Sequence, residues 1–191
     1  GVIEIRFGTN NRIGGTAAAS ANVIAGNNGV GVAVNNGTGN TIEGNAIYGN
    51  SSIGIDLGGG IGGASPGVTA NDGTKNVALP NSGMDFPVFT SARARGNQLT
   101  VAGYVGTAAG QATFAGARVE LFVADGDTSG FGEGQTYLGA LTADAQGNFA
   151  GTLTMPLAVI RAGTKLTATA TDASGNTSEF GPAFTGLAAD W

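Results

Sequence analysis

The chain has 191 residues, 36 of them Gly, and contains neither Cys nor His. Thirteen acidic residues against eight scattered basic ones leave a net charge of −5, which argues against nucleic-acid binding. The missing His removes the commonest general base, and no apolar run reaches the roughly 18 residues that cross a bilayer as a helix. Charged residues make up only 11% and apolar ones 41%, so the composition is that of a folded chain with many tight turns. The absence of Cys is compatible with export from a bacterium and proves no compartment.

Val2 to Phe7 reads as a strand with Ile3 and Ile5 turned inward. The repeats then begin. Asn45 to Leu57 falls on Asn22 to Val34 when shifted by 23 residues, with Asn on Asn at 22/45 and 27/50 and Gly on Gly at 26/49 and 31/54. At a shift of 29, Ile3, Ile5 and Ile13 fall on Val32, Val34 and Ile42, and the insert Thr16 to Ala21 accounts for the difference. A period in the low twenties, with short apolar runs broken by Gly and Asn, is the signature of a stacked solenoid whose units cannot bury their apolar face alone. The expected interior columns are Ile3/Val32/Ile55, Ile5/Val34/Leu57, Ile24/Ile47 and Ile13/Ile42. Asn22, Asn27, Asn45 and Asn50 are expected at corners, bonding to the same amide one coil away. This predicts about two and a half coils of parallel β-helix over residues 1–58. Nothing before Val2 covers the first coil, so Val2, Ile3, Ile5 and Phe7 form a candidate assembly edge. An upstream β-helix or self-association would satisfy it.

The period fails at Gly58, and residues 59–86 read as cap and connector, with Val68, Val77, Leu79, Met84 and Phe86 closing the open end. Met155 to Arg161 is the best helical candidate, one or two turns at most. From Pro87 the rhythm changes to strands. They are expected at Pro87–Ala94, Gln98–Val105, Ala117–Ala124, Thr136–Thr142, Asn148–Thr154, Lys165–Thr171 and Ser178–Phe184. Such spacing in about 100 residues predicts an antiparallel immunoglobulin-like β-sandwich over 87–186, with 187–191 as a tail. The predicted fold class is therefore all-β.

Two oxygen-rich groups are candidate calcium sites. Asp125, Asp127 and Ser129 stand at positions 1, 3 and 5 of a loop with Gly130 at 6 and Glu133 at 9, resembling half of a calcium loop without its closing Glu. The alternative is Asn71, Asp72 and Asp85, and in both places the structural reading is turn chemistry. Asp56 alternates away from Ile55 and Leu57, so it is expected to face solvent or the second domain. No catalytic set emerges: Glu4, Glu43, Asp56, Arg6 and Arg12 lie at different coil positions, so the chain is expected not to be an enzyme.

The order Asn-x-Ile-x-Gly-Asn, Ile53-Gly54-Ile55-Asp56-Leu57-Gly58, Asn71-Asp72-Gly73 and Phe86-Pro87-Val88 resembles the end of a right-handed parallel β-helix region in large bacterial surface and secreted proteins. The stretches Ser129 to Gly139 and Thr167 to Phe180 resemble the bacterial immunoglobulin-like domain that follows it there. The resemblance implies an extracellular or cell-surface, adhesin-like architecture with no catalytic motif, and a cell-surface protein or glycan as partner. Self-assembly into a filament through the open coil edge is one expectation. The rival is a carbohydrate-binding or polysaccharide-processing module using Tyr104, Tyr137 or Trp191.

Overall fold

The computed structural model describes residues 2–58, 67–156, 159–161 and 163–190, Asp190 by its backbone alone. The chain is all-β, built of small sheets with only single turns of 3-10 helix among the described residues. In the first region each strand is three residues long: β1 (Ile3–Ile5), β2 (Arg12–Gly14), β3 (Val23–Ala25), β4 (Val32–Val34), β5 (Thr41–Glu43), β6 (Ala46–Tyr48) and β7 (Ile55–Leu57). All pairings here are parallel. β1 pairs β4 and β4 pairs β7, β2 pairs β5, and β3 pairs β6. The chain thus visits three walls in turn and lays each circuit on the one before.

The register follows the repeat: Ile3, Val32 and Ile55 are partners, as are Ile5, Val34 and Leu57, Ile13 and Ile42, and Ile24 and Ile47. Gly or Asn ends or follows every strand here except β1, which runs into Arg6, because corners favour backbone angles that most side chains avoid. Gly26 and Gly49, at equivalent corners, have φ of 66° and 62°. The insert lies between β2 and β3 and includes a 3-10 turn at Ala18–Ser20.

The second region has longer strands: β8 (Pro87–Arg95), β9 (Gln98–Val105), β10 (Arg118–Ala124), β11 (Gly134–Thr142), β12 (Asn148–Thr154), β13 (Leu166–Thr171) and β14 (Ala188–Asp190). They form two sheets, ordered β12-β9-β8-β14 and β11-β10-β13. Leu99, Val101, Val119, Leu121, Leu166 and Ala168, from both sheets, meet in one core. Burying such side chains contributes about 1.5–3 kcal/mol each.

Three expectations are corrected. Ser178–Phe184 is not a regular strand; it reaches β13 only through isolated bridges and bonds such as Ser178 N–H to Ala170 O, because Gly181 and Pro182 interrupt it. Part of the expected tail is a strand: β14 pairs parallel with Arg93–Arg95 on the free edge of β8. The described residues of Met155–Arg161 are not helical, with Leu157 and Ala158 outside the described set; Met155 instead donates its N–H to Asn97 O. The expected loop 59–66 also lies outside the described residues.

Alternation in β10 and β13 predicts one apolar and one polar face, yet all six residues of β13 are buried. The polar face of this sheet is covered by the last coil. Phe122 of β10 and Phe180 join Ile42, Ile47 and Ile55 in the apolar cluster of the coil stack, their rings edge to face at 5.5 Å. Gly54 and Gly134 let the rings approach: a Cβ on Gly134 would lie 2.6 Å from Phe180 and 2.7 Å from Phe122.

Candidate functional site: the joint that closes the last coil

Within the stack, Asn11, Asn22 and Asn27 each donate twice to the next coil. Asn22 N–H and Nδ2 reach Asn45 Oδ1 at 3.0 and 2.9 Å, Asn27 reaches Asn50 Oδ1 at 3.1 and 2.7 Å, and Asn11 reaches Asn40 Oδ1 at 3.2 and 2.8 Å. The ladder therefore has a direction. At these corners the earlier coil's N–H groups reach forward, while others, such as Thr41 N–H to Asn11 O and Ala46 N–H to Asn22 O, point back; the forward-pointing N–H groups of the last coil have no coil beyond to receive them. Buried and unpaired, each would cost about 1–3 kcal/mol.

The connector before β8 and the second region supply the acceptors, one after another around the coil. Gly39 N–H donates to Asn176 Oδ1 (2.7 Å), Asn40 N–H to Asn81 Oδ1 (3.0 Å) and Ile42 N–H to Thr177 Oγ1 (2.9 Å). Gly44 N–H donates to Glu120 Oε2 (2.8 Å) and Gly49 N–H to Asp125 Oδ2 (2.8 Å). Asn50 N–H meets Glu133 Oε2 at 2.8 Å and its Nδ2 meets Glu133 Oε1 at 2.6 Å. Leu57 N–H donates to Glu179 Oε1 at 2.9 Å. An ionised carboxylate only accepts, so Asp and Glu suit a surface made of donors. Glu133 stands where the ladder Asn27–Asn50 would place its next Asn. Asn81 does the same for Asn11–Asn40, and its Nδ2 also holds Asn40 O (2.8 Å) and Thr177 O (2.9 Å). To do so Asn81 takes a left-handed φ of 45°, an angle Asn tolerates better than most residues.

Burial of this ring has an electrostatic cost. It pushes the Glu133 carboxyl up to about 7 against the two Asn50 bonds, and Glu179 up to about 7 against the Leu57 and Thr69 N–H groups. Glu120 is also raised by burial, opposed by Gly44 N–H and by Arg118, whose Nη2 lies 3.1 Å away. Arg118 and Arg12 each come within 3.7 Å of Glu43, so this wall carries cations. Burial also acts to raise Asp172, but Asn176 and Lys75, 3.0 Å away, hold it below the ordinary carboxylate value.

The residues of the first candidate calcium site lie at this joint and point in different directions. Asp125 Oδ1 accepts from Asp127 N–H (3.1 Å) and Glu133 N–H (3.3 Å), while Glu133 turns its carboxyl into the stack. Asp127 accepts from Ser129 N–H, and Ser129 Oγ bonds with Phe131. In the alternative group, Asp85 accepts from Asp72 N–H (3.2 Å) and Gly73 N–H (2.9 Å), and burial raises its pKa. Asn71 ties Phe86 and Gly106 together by its amide. Among the described residues no three acidic side chains gather as a metal-binding group. Asp56 does not face solvent: it is 0% exposed in the middle of β7, its charge near Glu179.

A cleft of about 820 Å³ opens beside the ring, lined by Tyr48, Asn50, Ser51, Asp125, Asp127 and Gln135 among others. Tyr137 is partly exposed and its hydroxyl accepts from Arg118 Nη2 at 3.1 Å; Tyr104 is half-buried, and Trp191 lies outside the described residues. At the opposite end of the stack, Val2, Ile3 and Ile5 are half-buried and Phe7 is 89% exposed. Sequence reasoning missed Asn40, Asn81, Glu120, Thr177 and Glu179 as joint residues. The Asn11/Asn40 match at a shift of 29 was a signal for the first; nothing local marks the others.

No protein-family model matches the chain. Among solved structures, it is similar to the adhesin domain of Epf from Streptococcus pyogenes, with 15% sequence identity and a TM-score of 0.37. The match covers 56% of this chain, which spans about a third (33%) of that domain's length.

Proposed function

We propose that the chain is a non-enzymatic structural and adhesive segment of an extracellular or cell-surface protein. In this reading the first region is a short parallel β-helix, residues 1–58, and an immunoglobulin-like sandwich from residue 87 terminates it. The observation that carries the reading is the ring of side-chain oxygens that receives the last coil's N–H groups, since a stack so closed does not grow in that direction. A rod built this way resists local opening because each circuit is bonded to the next and its Ile and Val columns are continuous.

Association between copies would use the edge at Val2, Ile3, Ile5 and Phe7, because the other end is covered. Negative-stain electron microscopy of the concentrated chain tests this: discrete particles, paired at one end, are expected, and Ile5→Lys should leave them single. Long end-to-end filaments would mean that the joint accepts another coil, and the terminator reading would fall. A second reading, glycan binding, is favoured by the polar cleft beside Tyr48. Glycan-array binding lost on Tyr48→Ala, with the particles unchanged, would favour it.

A further inference from the structure

The two ends of the coil stack differ in what covers them. Val32 and Val34, with a coil on either side, are 0% exposed, while their partners Ile3 and Ile5 in the first coil are half-buried. The corners differ in the same way. Asn40, Asn45 and Asn50 use both halves of the amide toward the coil before them. Their Oδ1 accepts the N–H and Nδ2–H of Asn11, Asn22 and Asn27, and their Nδ2 donates back to Gly8 O (2.9 Å), Ile13 O (2.8 Å) and Ile24 O (3.2 Å). Asn11, Asn22 and Asn27 hold the same places at the open end. Among the described residues no donor reaches their Oδ1, and each Nδ2 has a second N–H beyond the one given to the next coil.

We propose that this end is a docking face for one class of partner: the donor end of another parallel β-helix coil, carrying Asn at three corners and added in the same strand direction. The proposal rests on the β-helix reading of residues 1–58 given above. At each corner the partner must bring a backbone N–H and an amide N–H for Oδ1, and a carbonyl for the spare Nδ2–H. That is the set each later coil exchanges with the one before it. Its apolar side chains must also fall on Ile3 and Ile5, as Val32 and Val34 do from the other side. Backbone bonds alone would add a strand anywhere along an edge; the three amide corners fix register and direction. A second copy does not supply this set. Its open end offers the same acceptors, and the donors of its last coil already meet Asn81, Glu120, Asp125 and Glu133. A coil therefore takes this end in preference to a copy.

The test compares the intact chain with one that carries, in place of Gly1, a copy of its own residues 31–53, which hold the three corner Asn. Amide hydrogen exchange by NMR reads the docking. Exchange of Ile3, Asn11, Asn22 and Asn27 N–H should slow at least about tenfold, and Val101 in the core of the second region should not change. An added copy bearing Asn40→Ala, Asn45→Ala and Asn50→Ala, with the native residues kept, should lose most of that gain. No slowing with the unaltered copy would mean that the end takes no coil, and equal slowing with both would mean that the corners do not select it; either overturns the proposal. Should the extended chain fail to fold, the free peptide 31–53 titrated onto the intact chain decides: slower exchange at Asn11, Asn22 and Asn27 supports docking, and unchanged exchange at saturating peptide sinks it. The β-helix reading itself fails on a different signal, fast exchange of Val32 and Thr41 N–H in the unextended chain.

Discussion

The two regions of this chain solve the same problem of unpaired strand edges in opposite ways. In the coil stack, strands of three residues gain their order from repetition: like side chains lie over like, and parallel bonds join each coil to the next. In the second region, strands of six to nine residues, with the three-residue β14 added at one edge, pair mostly antiparallel around a core of their own. The stack has no such independence at its final coil, where donors face outward. The second region can close it because one of its sheets uses both faces, Val119 and Leu121 inward and Glu120 and Phe122 toward the coils. A sheet face that looks polar in isolation is thus the place where the other region ends.

The difference can be broken at several levels. Phe180→Ala should have the largest effect, a loss of about 3–5 kcal/mol, since the ring fills the apolar seam between the regions. Urea unfolding followed by circular dichroism would measure it, and a loss below 1 kcal/mol would mean the seam does not hold. Asn50→Ala comes next, at about 2–3 kcal/mol, because it strands Asn27 donors on one side and the Glu133 carboxylate on the other. Asn27→Ala leaves only Asn50 Oδ1 short of donors and should cost roughly 1 kcal/mol. If the two were equal, the ladder would have no direction in energetic terms. Gly134→Ala pushes a methyl against Phe122 and Phe180 and should cost about 1–3 kcal/mol, with exchange protection falling first at Gly49 and Asn50. The smallest effect belongs to Thr152→Ala on the exposed face of β12, where the 2.8 Å bond to Thr100 is lost; below about 1 kcal/mol is expected. A larger loss there than at Asn50 would invert the comparison.

How far the fold was legible depended on how local its causes are. The repeat at 23 and 29 residues placed Ile24 on Ile47 and Ile13 on Ile42, because in a parallel stack the period of the sequence is the register. Alternation found most strands of the second region to within a residue or two. It did not find β14, whose Ala188–Ala189–Asp190 carries no pattern and is ordered only by the free edge of β8. Nor could alternation show that Ser178–Phe184 would be broken at Pro182.

The sequence by itself determined the coil register, the corner residues and the all-β character, since each rests on spacing, on turn chemistry or on the periodicity of a strand. Only the tertiary structure decided what Glu120, Glu133, Glu179, Asp56 and the threonines of β13 do. A strand pattern states that two faces differ; it does not state what covers the polar one. Here the covering body is the last coil, whose outward N–H groups need acceptors, so residues that would stand in water are buried against it.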